Sequence, residues 1–275
     1  MNFMKMHGCG NDFVMCHGMS DEFVERIRFA APRLCDRRTG IGADGVIVVL
    51  PSVTADFRMR IFNADGSEAE MCGNGIRCFA EYLHAYSLTD KKILTIETLR
   101  GPIGVSWTGA LIRVAMGAPI LAPEMIPMIH EGPGPVVAEP LSAGGRTFAV
   151  TAVSMGNPHA VIFSDDLSDD LVLGAGRLLE SHPSFPRHVN VEFVSVLSPT
   201  ETRMRVYERG VGETAACGTG ACASAVAGIL DKRHGNTVTV HLNGGDLLVE
   251  WDGHFDHQVY MTGPATKVFR GTIEL

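Results

Sequence analysis

Two cysteines stand in duplicated surroundings. Cys72 opens the run Cys72-Gly73-Asn74-Gly75, and Cys217 opens Cys217-Gly218-Thr219-Gly220. Each run leads into a pattern that predicts a helix, Asn74 to about Tyr86 in one case and Gly218 to about Leu230 in the other. A thiol at a helix start faces unpaired backbone N–H groups and the positive end of the helix dipole, so both thiols are expected to have lowered pKa values. Two helix ends of this kind can hold a carboxylate by its oxygens, and the glycines allow close approach of the backbone. Paired thiols suit one chemistry in particular. A thiolate takes a proton from one face of a carbon, a thiol delivers one to the opposite face, and the roles exchange in the reverse direction. N–H groups gripping the neighbouring carboxylate spread the carbanion charge, so no pyridoxal phosphate is obligatory.

Either cysteine alone would read as core filler. The wider repeat changes that. Arg58-Met-Arg-Ile-Phe-Asn63 matches Arg203-Met-Arg-Val-Tyr-Glu208 at a separation of 145 residues, and the same separation carries Glu68 onto Glu213 and Cys72 onto Cys217 without a gap. Gly10-Asn11 matches Gly156-Asn157 one residue out of that register. Each half therefore repeats a Gly-Asn turn, an Arg-Met-Arg strand, an acidic loop, Cys-Gly-x-Gly and a helix, which implies two similar halves related by a pseudo-twofold.

The elements that must position these groups are mostly short strands. Val46–Leu50, Phe57–Phe62, Leu111–Met116, Phe148–Met155, Val189–Val196, Thr202–Glu208, Thr237–Leu242, Leu247–Trp251 and Val259–Thr262 carry strand patterns. Helices are expected at Asp21–Ala31, with Ser20 as its cap, and at Leu171 to about Ser181, besides the two already named. The Pro- and Gly-rich segment 117–145 reads as a partly irregular crossover.

The whole chain bounds the function. Its 275 residues are 45% hydrophobic and 20% charged, an ordinary globular balance, and the formal net charge of −8 excludes a nucleic-acid binder with a broad basic face. The N-terminus lacks the apolar run of a signal peptide, and no stretch is long and apolar enough for a membrane helix, so a cytoplasmic location is expected. Seven cysteines without a secretion signal point to thiols rather than a disulfide framework, and the absence of any Cys-x-x-Cys pair argues against a structural zinc site. Cys9, Cys16, Cys35, Cys78 and Cys222 read as filler. No metal and no cofactor are expected. The expected partner is a small-molecule substrate, and a homodimer is carried only as a candidate assembly.

At these residues the chain resembles the diaminopimelate epimerases, nearly end to end. The resemblance lies in Lys5-Met-His-Gly-Cys-Gly-Asn-Asp-Phe13, Thr39-Gly-Ile-Gly-Ala-Asp44, Phe62-Asn-Ala-Asp-Gly-Ser-Glu68, Met71-Cys-Gly-Asn-Gly-Ile-Arg-Cys78, Met155-Gly-Asn-Pro-His159, His188-Val-Asn-Val191, Tyr207-Glu-Arg-Gly210 and Ala216-Cys-Gly-Thr-Gly220. It implies an α+β fold of two pseudo-symmetric halves, each a curved mixed sheet wrapped around a central helix. Residues 1–117, with 263–275 returning to them, would form one half and 118–262 the other, the active site lying in the cleft between. It further implies interconversion of L,L- and meso-2,6-diaminopimelate, for lysine and peptidoglycan synthesis. Cys72 and Cys217 match the catalytic pair; His159 and Glu208 match residues that assist proton handling. Asn11, Asn63, Asn157, Asn190 and Arg209 match residues that hold the substrate, with its α-carboxylate between Gly73-Asn74 and Gly218-Thr219. Gly45 departs from the pattern, since some members carry a pocket-lining Gln there.

Read without the family, Asn11 and Asn157 would serve turns, Glu208 and Arg209 a solvated strand end, and His159 would be one of eleven histidines. Two other functions remain open at this point: a binding protein that kept the fold without catalysis, and a racemase or epimerase of another amino acid such as proline. Thiols flanking one carbon predict a redox effect. Mild oxidation should join Cys72 to Cys217 and abolish activity, and reductant should restore it; full activity in protein whose thiols are shown to be joined would refute the pairing.

Overall fold

The alternation in Arg58-Met-Arg-Ile is met in the strand Phe57–Asn63, where Met59 and Ile61 are buried while Arg58 and Arg60 are half-buried. The computed structural model describes all 275 residues, and the chain divides into two units, Met1–Ala115 with Thr262–Leu275, and Met116–Met261.

In the first unit Asn2–Gly8 and Asn11–His17 form an antiparallel pair. Helix α1 (Asp21–Cys35) then crosses over to Gly45–Leu50, which runs parallel to Asn11–His17. Gly45–Leu50 pairs antiparallel with Phe57–Asn63. Helix α2 (Gly73–Ala85) makes a second crossover to Ile93–Thr98, parallel to Phe57–Asn63, and Gly101–Thr108 and Leu111–Gly117 follow antiparallel. The strand Thr266–Thr272 returns to pair with Asn2–Gly8.

The second unit follows the same plan. Glu139–Ala143, Arg146–Ser154 and Pro158–Phe163 are antiparallel neighbours. A crossover containing the short helix α3 (Gly176–Glu180) leads to Asn190–Ser198, parallel to Pro158–Phe163. Glu201–Glu208 pairs antiparallel with it, and helix α4 (Gly218–Leu230) crosses to Thr237–Leu242, parallel to Glu201–Glu208. Each unit is thus a mixed sheet packed around one buried helix. Helices α2 and α4 are both thirteen residues long and start 145 residues apart, and ten residues of each are buried. Helix α4 does this with small side chains, Ala221, Ala223, Ala225 and Ala227, which let it lie close to its strands.

Some expectations change. Helix α1 runs on through Pro32 to Cys35. The stretch expected as one helix from Leu171 begins instead as a wide turn over Asp170–Ala175, with Gly176 N–H bonded to Leu171 O, and only Gly176–Glu180 is α-helical. Gly176 abuts Tyr207, where a Cβ would come within 2.9 Å, and this fixes the helix against the sheet. The Pro-rich crossover contains the strand Glu139–Ala143. The strands Asn2–Gly8, Asn11–His17, Ile93–Thr98, Gly101–Thr108, Pro158–Phe163 and Thr266–Thr272 have no counterpart among the strand patterns read above.

An ion network, covered at Lys5 and Asp12 and open at Arg37, ties the first strands to the loop 39–44. Lys5, 7% exposed, reaches Asp12 at 2.7 Å and also donates to Gly42 O. Arg37 binds both Asp12 oxygens at 2.8 and 3.0 Å, and Asp44 N–H donates to Asp12 Oδ1 at 3.0 Å. Burial pushes the Asp12 carboxyl up, but the bonds from Arg37 and Lys5 outweigh it and hold Asp12 well below the usual carboxylate range. A depressed folded pKa contributes stability that is complete above the unfolded value and lost as pH falls through the folded one. Asp12→Asn should therefore cost about 2 kcal/mol near neutrality. In urea melts the deficit should be constant above about pH 5 and shrink below about pH 4.

Candidate active site

The acidic loop before each cysteine is pinned by an arginine from the Arg-Met-Arg strand. Arg60 makes a two-pronged pair with Glu68, one prong at 2.8 Å, and Arg205 grips Glu213 at 2.7 and 2.8 Å. Planar forks of this kind fix geometry as well as charge. The pinned loops deliver Cys72 and Cys217 to the N-cap positions of α2 and α4, both with extended backbone. Each sulfur accepts the N–H of the glycine three residues on, Gly75 or Gly220, at 3.4 Å. Those two glycines are needed for packing. A Cβ on Gly75 would lie 2.8 Å from Ile47 Cδ1, and one on Gly220 would lie 2.7 Å from Glu192 Oε1. Gly10 and Gly156 precede the matched asparagines with φ of +86° and +97°, a conformation that glycine adopts freely.

In the first unit the structure gathers Cys72, Asn11 and Asn74. Asn11 Oδ1 accepts from Cys72 Sγ at 3.5 Å and from Asn74 Nδ2 at 3.4 Å, while Asn11 Nδ2 donates to Asp44 at 2.7 Å. Buried Arg77 donates to Gly73 O, Asn74 Oδ1 and Pro264 O at 2.9–3.1 Å, bracing the first turn of α2. Asn63 is exposed and bonds to Ser67 Oγ at 2.9 Å, with no bond to that group.

In the second unit Cys217 contacts Thr219 Oγ1 at 3.5 Å and feels the charge of Glu208, whose carboxylate accepts from Thr214 Oγ1. Asn190 is committed at both ends of its amide, donating to Pro158 O at 2.9 Å and accepting from Arg209 N–H at 3.0 Å. It therefore sets the turn that bears Arg209, whose exposed guanidinium touches Arg187 O at 3.3 Å. His159 is fully buried. Its Nδ1 lies 2.7 Å from Glu192 Oε1 and its Nε2 lies 3.1 Å from Asn157 Oδ1.

A duplicated, thiol-capped helix start at a site of this composition agrees with the comparisons. The family model described as "Diaminopimelate epimerase" matches residues 3–122 and 151–268. The chain belongs to the diaminopimelate epimerase family. Among curated relatives, the diaminopimelate epimerase of Moorella thermoacetica is 54% identical over 282 residues, covering 100% of both chains. That of Desulforudis audaxviator is also 54% identical, covering 98% of each. Solved structures share the fold at low identity. A phenazine biosynthesis protein of the PhzF family from Bacillus anthracis matches at TM-score 0.70 and 18% identity, covering 100% of this chain and 99% of its own. A probable proline racemase from Agrobacterium radiobacter matches at TM-score 0.70 and 16% identity, covering 100% and 93%.

Within this diaminopimelate epimerase family chain, position 45 has no room for a pocket-lining side chain, because a Cβ there would sit 2.7 Å from Phe62 O. The residues that sequence reasoning passed over are Glu192, Thr214, Asp44 and Arg77. Glu192 had a signal, as the one acidic residue inside the buried run Asn190–Val194.

The expected lowering of the thiol pKa fails at Cys217. Burial pushes that thiol well above its ordinary value, and the charges of Glu208 and Glu192 add to the shift against the bonds from Thr219 and Gly220 N–H. The helix end is present; burial and two carboxylates outweigh it. Burial likewise raises Glu208, opposed by its bond from Thr214. Alkylation of Cys217 by iodoacetamide in ligand-free protein, followed by peptide mass spectrometry, should be slow at neutral pH and still rising above pH 9; a plateau below pH 8 would contradict this electrostatic balance.

Proposed function

We propose that this chain interconverts L,L-2,6-diaminopimelate and meso-2,6-diaminopimelate without a cofactor, as an isomerase, with Cys72 and Cys217 as paired base and acid. The observation that carries the proposal is the thiol cap repeated in both units, each followed by a thirteen-residue buried helix. The cysteine acting as thiolate removes the α-proton and becomes a thiol. The other thiol protonates the carbanion on its opposite face and becomes the thiolate, ready for the reverse direction. Backbone N–H groups at Gly73-Asn74 and Gly218-Thr219 bind the α-carboxylate and absorb developing charge.

His159 and Glu208 support proton handling in the second unit, where the charge of Glu208 acts on Cys217. Asn11 and Asn157 present polar ends to the substrate from the matched turns, and Asn63 and Arg209 are exposed and able to meet its distal amino-acid end. Asn190 is a further substrate-holding residue, and it also sets the turn that bears Arg209. The product feeds lysine and peptidoglycan synthesis. The same reading takes the chain as a cytoplasmic enzyme whose partner is the amino acid itself, with no nucleic acid or membrane and with a homodimer as the candidate assembly. No helix is long and apolar enough to cross a membrane.

The deciding assay follows α-proton exchange in deuterated solvent by NMR, with diaminopimelate, proline and hydroxyproline compared. Exchange and inversion of diaminopimelate alone are expected. Cys72→Ala and Cys217→Ala should each lower the epimerisation rate by about 10²–10⁴-fold. Absence of exchange in either diaminopimelate isomer would sink the proposal.

A further inference from the structure

The two thiols sit in matched folds with unmatched linings. Strand pairing sets Glu192 opposite Val206 in the second unit and Ile47 opposite Ile61 in the first. The two positions lie at the 145-residue repeat, and both face the second glycine of their Cys-Gly-x-Gly run. Ile47 is what a Cβ on Gly75 would meet, and Glu192 is what a Cβ on Gly220 would meet. That same Cβ on Gly220 would lie 3.3 Å from Cys217 Sγ, so Glu192 and the thiol border one small space. Neighbouring positions follow suit. His159 pairs with Asn190 on the parallel strand where Phe13 pairs with Gly45, and Glu208 occupies the repeat position of Asn63.

The fold therefore has an apolar solution for this place and uses it in the first unit. In the second it buries a carboxylate completely, with Oε1 on His159 Nδ1 and Oε2 bonded to nothing. An unsatisfied buried acceptor costs about 1–3 kcal/mol. A cost that stability does not require, placed beside a reacting group, points to function.

We propose that Glu192 is the positioning residue of the Cys217 half-site: its buried carboxylate accepts a hydrogen bond from His159 Nδ1–H and so fixes the orientation of the ring, holding Nε2 at the side chain of Asn157, where the ring supports proton handling. This rests on the epimerase reading above. A ring held by a carboxylate at one nitrogen and committed by the other is the general arrangement by which a third group orients an acid or base. The titratable groups facing Glu192 are His159 from Pro158–Phe163, Glu208 from Glu201–Glu208, and Cys217 at the head of α4. The carboxylate thus acts on the thiol half-site that carries the acid and base side chains, and the Cys72 half-site has no equivalent.

The test uses two variants, Glu192→Ile, which copies the first unit, and Glu192→Gln, which retains an acceptor oxygen without charge. Folding is checked by circular dichroism. Glu192→Ile should lower kcat for diaminopimelate about 10- to 100-fold, with KM within about twofold because uniform substrate binding is untouched. The pH profile of kcat should be displaced, and Glu192→Gln should fall between Glu192→Ile and wild type. Independently of substrate, the ¹⁵N-attached Nδ1 proton of His159, assigned by its loss in His159→Asn, should be present in wild type and lost in Glu192→Ile. Wild-type kcat and an unchanged pH profile in folded Glu192→Ile, or in Glu192→Gln if the first variant does not fold, overturn the proposal; so does an unchanged Nδ1 signal. If the wild type does not act on diaminopimelate, the substrate reading fails, and the His159 signal alone decides the role of Glu192.

Discussion

The first turn of each central helix is closed by sulfur. A thiol is a weak cap compared with the oxygen of Ser, Asp or Asn, and the fold compensates from outside the helix. Arg60 and Arg205 clamp the loops that lead in, Arg77 braces the first turn of α2 on three acceptors, and α4 is wedged into its sheet by a run of alanines. Helix starts set in this way keep the sulfur and the backbone N–H groups around it in fixed relation.

Duplication explains the scaffold and the paired thiol caps, and not the side chains around them. The matched elements are those that bear load: the Arg–Glu clamps, the parallel crossovers, the cap and its glycine. The unmatched ones are the side chains that surround sulfur. Phe13, Ile47 and Asn63 take the places of His159, Glu192 and Glu208. Each unit could thus diverge at the lining while its packing stayed constrained, because the lining residues project from strands whose backbone pairing does not depend on them.

The repeat also decides what was legible in the sequence. A register that holds from Arg58 to Gly75 against Arg203 to Gly220 gave the two halves, both helix starts and the pair of cysteines. The strands missed have physical reasons. Thr266–Thr272 is exposed almost throughout, so it lacks the alternation that marks a strand, and Ile93–Thr98 begins with an exposed Ile. Gly176 lies at a helix start that a 3.6-residue period does not reveal. The direction of the Cys217 shift was misjudged because a helix end is visible in the chain, whereas burial and carboxylates from two other strands are properties of the assembled sheet. Asn190 also holds the turn that bears Arg209, a role visible only once the strands are assembled.

The pairing of Thr266–Thr272 with Asn2–Gly8 bears on synthesis. The second unit is continuous in the chain, from Met116 to Met261, while the first is interrupted by it. On the ribosome the second unit has all its strands before the first has its last one. Until residues 262–275 emerge, Asn2–Gly8 has a bare edge and Arg77 lacks its acceptor on Pro264. An open strand edge invites pairing with a neighbouring chain. The nascent protein is therefore most vulnerable to aggregation late in translation, through the part of it that was made first.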